Sequence, residues 1–61
     1  MRRWDAAVDM AALDDAGDIV FLPLCRVGLY AANKTRAERV AARLANTRGK
    51  VFTVFVREVR P

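Results

Sequence analysis

Sixty-one residues carry eleven basic and seven acidic side chains, one cysteine and no histidine. One cysteine excludes an intramolecular disulfide, and the lack of histidine excludes a Cys/His zinc cluster. A chain this short buries only about 60% of its unfolded surface, so its core is marginal and needs very good packing or a second chain.

Charge is unevenly placed. Residues 1–18 hold two arginines against five aspartates, whereas residues 19–61 hold nine bases against Glu38 and Glu58. The excess points to an anionic partner for the C-terminal part. Arginine and alanine enrichment from GC-rich coding DNA gives the same composition, and both readings stay open. Asp5 and Asp9 interrupt any apolar signal segment near the N-terminus. The longest apolar run, Ile19 to Cys25, is seven residues with a proline inside, against roughly 20 needed to span a bilayer. A cytoplasmic protein with no membrane contact is expected, which a lone free thiol suits.

The first element, "WDAAVDMAALDDAGD", reads two ways. Its five alanines favour a helix over 5–15, with Asp5 as cap and Gly17 closing it. Trp4, Ala6, Val8, Met10 and Ala12 also alternate, and "DDAGD" then makes a glycine-containing hairpin turn. Alanine packs poorly on a sheet, so the helix is preferred.

"DIVFLPLCRVGLYA" is a kinked strand region. Pro23 cannot donate to a ladder, which predicts strand 18–22, a break or bulge near Pro23 at an edge or a bend, and strand again over 25–31. Gly28 marks a bulge or a close backbone approach. Cys25 sits in an apolar run and reads as a small buried hydrophobe.

Next comes an amphipathic helix over 35–47. Thr35 and Glu38 fit a capping box. Ala37, Val40, Ala41 and Leu44 form an apolar stripe, and Gly49 follows where a left-handed cap is expected. At about 100° per residue, Arg36, Arg39 and Arg43 fall in a band about 60° wide beside that stripe. Arg39 and Arg43 are four apart and repel, where a helix shaped only for stability would carry a glutamate. With Lys34, Arg48 and Lys50 at the ends, the band suits phosphate contact. The bland alternative is a solvated face whose arginine stems lie along the core edge.

The last element, "KVFTVFVREVR", is a strand over 50–59. Its first half is apolar on both faces, which predicts cover on both sides, Phe52 and Phe55 as core residues, and a homodimer to supply the second cover. Tyr30 and Trp4 are the aromatics expected at the surface.

Val27 to Val56 resembles one β-α half of a SPOR repeat, the peptidoglycan-binding domain of bacterial division proteins. Val27-Gly28-Leu29-Tyr30 and Ala37-Glu38 with Ala41 and Leu44 carry the resemblance, and the second repeat is missing.

The fold expected is therefore a small single α+β domain spanning 1–61: an N-terminal helix or hairpin strand, a kinked strand region, a helix and a C-terminal strand. No histidine, glycine-rich phosphate loop or metal-ligand cluster suggests an enzyme or a cofactor. The expected function is a basic binding module that contacts nucleic acid through Lys34, Arg36, Arg39, Arg43, Arg48 and Lys50. The alternative is a small inhibitor or adaptor of phage or mobile-element type, which binds an acidic protein surface.

Overall fold

A computed structural model describes residues 1–60. Three strands and one helix follow in the order β1 (Arg2–Leu13), β2 (Ile19–Ala31), α1 (Lys34–Leu44) and β3 (Phe52–Glu58). The strands form one antiparallel sheet in the order β2-β1-β3, so the first strand is the central one. The chain is an α+β domain, as expected, but it opens on a strand where a helix over 5–15 was preferred.

The central position explains that outcome. Both edges of β1 are paired, Trp4 to Leu29 and Glu58, and Val8 to Cys25 and Val54. Alanine's helix propensity is worth only a few tenths of a kcal/mol per residue, and two ladders plus a buried face outweigh it. The period-two set is the one that goes inside: Trp4, Ala6 and Val8 are buried, and Val8 is fully so. Trp4, expected at the surface, is only 4% exposed. Its indole packs under the helix, and its ring N–H donates to the Ala31 carbonyl at 3.1 Å.

Residues 14–18 turn the chain. The Asp14 carboxylate accepts from the backbone N–H groups of Ala16 and Asp18, and Gly17 takes φ 83°, where a side chain would be strained.

β2 runs unbroken through Pro23, because it is an edge strand whose outer side needs no donor there. The irregularity lies beside Pro23: Val8 pairs with Cys25 and Asp9 with Pro23, leaving Leu24 as the extra residue of a bulge. Gly28, the other candidate for a bulge, keeps regular pairing with Asp5. Cys25 is half-buried and packs against the core.

α1 covers Lys34–Leu44 where 35–47 was expected. Asn33, not Thr35, is the N-cap: its side-chain oxygen accepts from the Arg36 N–H at 2.9 Å. Asn33 and Thr35 are both good caps, and the register moves back because Asn33 is the residue in extended backbone (φ −155°). The third helical position is then Arg36, so no capping box forms. Asn46 (φ 54°) turns the chain after the helix, ahead of Gly49. Gly49 (φ 74°) instead serves the tight turn closed by Lys50 N–H to the Thr47 carbonyl at 3.0 Å.

The helix lies on the even-numbered face of β1. Ala37 and Ala41 are fully buried there against a core that includes Trp4, Ala6, Leu29, Ala31 and Val56. Small residues on both layers let the backbones approach closely. The stripe expected at Val40 and Leu44 is only partly inside: Leu44 is 57% exposed, and Ala45 packs against the core in its place.

The opposite face of the sheet has no cover. Phe55, expected in the core, is 70% exposed there, and Phe52, on the helix side of the sheet opposite Met10, is also at the surface. β3 is an edge strand of 52–58, shorter than the 50–59 expected, and apolar residues on both its faces do not find two layers within one chain.

Candidate nucleic-acid interface

Three of the candidate residues share one helix face, and the other three flank it at the helix ends. Arg36, Arg39 and Arg43 are exposed on the side of α1 that faces away from the sheet, whereas Lys34, exposed at the helix start, lies on the same side of the helix as Ala37 and Ala41. Helical rise places Lys34 and Arg43 roughly 14 Å apart along the axis. Arg48 and Lys50 follow in the loop at the C-terminal end of the same helix and are also exposed. Lys50 is partly committed, since its ammonium donates to the Asn46 carbonyl at 3.0 Å. Thr47 closes the same helix end, its hydroxyl donating to the Ala42 carbonyl at 3.2 Å.

Of the four strand arginines three are paired with acids, and Arg3 has no salt-bridge partner among the described residues. On the sheet, Arg2 pairs with Glu58 at 2.8 Å, Arg26 with Asp9 at 2.7 Å and Arg57 with Asp5 at 3.4 Å. Arg26 also donates to the Val8 and Cys25 carbonyls beside the bulge. On the helix, none of Arg36, Arg39 and Arg43 has a salt-bridge partner among the described residues. The first turn of α1 contains no acid. Lys34 and Arg36 therefore sit at the positive end of the helix dipole, an arrangement that costs roughly 0.3–1 kcal/mol per charge and that an anion would relieve.

A second feature escaped the sequence. The open face of the sheet holds a shallow depression of about 420 Å³ lined by Asp5, Ala7, Arg26, Gly28, Phe55 and Arg57. These residues come from three strands, and only the register brings them together: Asp5 faces Arg57 and Gly28, while Ala7 faces Phe55 and Arg26. Within it Asp5 pairs with Arg57, while Arg26 pairs with Asp9 outside it. Alternation in "FTVFVRE" already separated Phe55 from Val56, but not which of the two would be left outside.

Comparison with protein-family models, with curated proteins and with solved structures returned no match. No helix among the described residues is long and apolar enough to cross a membrane.

Proposed function

We propose that this chain is a small basic binding module that contacts nucleic-acid phosphates through the outer face of α1. Arg36, Arg39 and Arg43 form the contact band, with Lys34 reaching in from the helix start and Arg48 and Lys50 from past its end. The observation that carries the reading is the division of the arginines. Arg2, Arg26 and Arg57 on the sheet are paired with acids and only Arg3 there is not, whereas all three on the helix stand together without one among the described residues. A band of fixed positive charge releases counterions when it meets phosphates, which gives affinity without sequence preference. A homodimer in the cytoplasm is the assembly and location we propose.

Titration of a labelled duplex and a labelled single strand at two salt concentrations tests this. Binding at low salt that weakens steeply toward physiological salt is the expected result. No binding of either at low salt overturns it. The second reading, an adaptor or inhibitor of phage or mobile-element type that binds an acidic protein surface, then takes its place. Leu44 favours that reading, because it offers an exposed apolar contact beside the arginine band. An apolar hot spot would hold its affinity as salt rises.

A further inference from the structure

The shape of the chain is unusual for its mass. A folded monomer of 6.8 kDa is expected to expose about 3,950 Å², yet this one exposes 4693 Å². Its radius of gyration is 12.8 Å against about 10.5 Å for a compact chain of 61 residues. The cause lies in the element lengths. β1 and β2 have 12 and 13 residues and run roughly 40 Å, close to the 43 Å long axis. α1 has 11 residues and covers only about 16 Å of that ribbon. The sheet is therefore bare on one whole face and bare on both faces at its hairpin end.

What lies on the bare face is mostly apolar. Odd-numbered residues of β1 point there, together with their partners across the ladders. Ala11, Leu13, Ile19, Phe21 and Val51 gather at the hairpin end, and Phe55 continues the patch toward the middle. Leu13 is 71% exposed and Phe21 58%. Of the charged groups on this face, Asp5 pairs with Arg57 and Asp9 with Arg26, and Arg3, at the end of β1 away from the hairpin, has no ion-pair partner among the described residues. The apolar patch at the hairpin end contains no charged residue, and the two ion pairs can be covered without stranding a charge.

We infer that this open face seats a second copy of the same chain. The area argument selects that occupant. The excess of about 740 Å² over a compact monomer is close to the roughly 800 Å² that each partner contributes to a standard interface. A two-fold dimer brings the same patch from both chains together and so covers both excesses at once. The inference rests on the homodimer reading and is independent of the nucleic-acid one. Because the helix lies on the opposite side of the sheet, face-to-face packing leaves both arginine bands on the outside of the dimer.

Sedimentation equilibrium of the full chain over a wide concentration range, with thermal melts at each concentration, tests the inference. Wild type should sediment at twice the chain mass, and its melting temperature should rise with concentration. Phe21→Glu and Leu13→Glu should each shift the equilibrium toward monomer by at least tenfold, while Leu44→Glu, on the other layer, should not. If a face variant unfolds, the concentration dependence of the wild-type melt decides. A rise supports the inference, because these side chains are exposed in the single chain and cannot support its own core. A flat melt overturns it. A monomer at all concentrations overturns both the surface and the homodimer. A dimer that all three glutamates leave intact overturns the surface alone and points to pairing through a sheet edge. Loss of single-strand binding in Phe55→Ala, with wild type monomeric, would make the face a base-stacking platform and also overturn it.

Discussion

The ring N–H of Trp4 donates to the carbonyl oxygen of Ala31 at 3.1 Å, joining the start of the central strand to the last residue of β2. The bond sits at the edge of the core, where the chain leaves the sheet to begin the helix. Trp4 is also stacked beneath the Arg2 guanidinium, 5.0 Å from the ring centre. Trp4→Phe keeps most of the apolar ring but leaves a buried carbonyl without its donor. The expected loss is about 1–3 kcal/mol, measured by urea unfolding followed by far-ultraviolet circular dichroism. A loss under about 0.5 kcal/mol would mean that water replaces the indole.

Val8 and Leu44 separate the two layers' contributions. Val8 is fully buried at the middle of the central strand, so Val8→Ala removes packing on all sides and should cost about 2–3 kcal/mol. Leu44→Ala should cost no more than about 1 kcal/mol, because more than half of that side chain is already in water. Chemical denaturation monitored by Trp4, the only tryptophan, measures both. The reverse order would place Leu44, not Ala45, against the sheet.

The helix cap gives a sharper pair. Asn33→Ala removes the acceptor for the Arg36 N–H and should cost about 1 kcal/mol. Thr35→Ala should change stability by less than about 0.5 kcal/mol, since Thr35 lies inside the helix. In a domain of this size, 1 kcal/mol moves the melting temperature by about 4–8 °C, well within the reach of calorimetry.

Arg26 and Arg39 should part function from fold. Arg39→Ala should leave the melt unchanged, weaken nucleic-acid binding about equally for all sequences, and lower the salt slope by about 1. Arg26→Ala should do the opposite. It leaves Asp9 and the carbonyls beside the bulge without their donor, costs about 1 kcal/mol, and keeps the salt slope. Equal salt slopes for wild type and Arg39→Ala would remove the helix from the interface.

Local chemistry was legible in the sequence wherever a short run settles its own conformation. The last strand, the amphipathic helix with its arginine band and the irregularity beside Pro23 could all be read from neighbours a few residues apart, while the hairpin turn of Asp14 to Asp18 was only the second of two readings. The tertiary structure decided what depends on distant partners. Residues 5–13 carry helix-forming alanines and a period-two apolar set together. Only two flanking strands, one starting at Ile19 and the other not until Phe52, make the second pattern win. The same holds for Trp4, Phe55 and Leu44. Apolar residues outnumber the places that one 11-residue helix can cover, so which of them is buried follows from where that helix lies on the sheet. Composition states that a core exists, but position in the sheet assigns its members, because burial belongs to pairs of surfaces and a sequence lists only one member of each pair at a time.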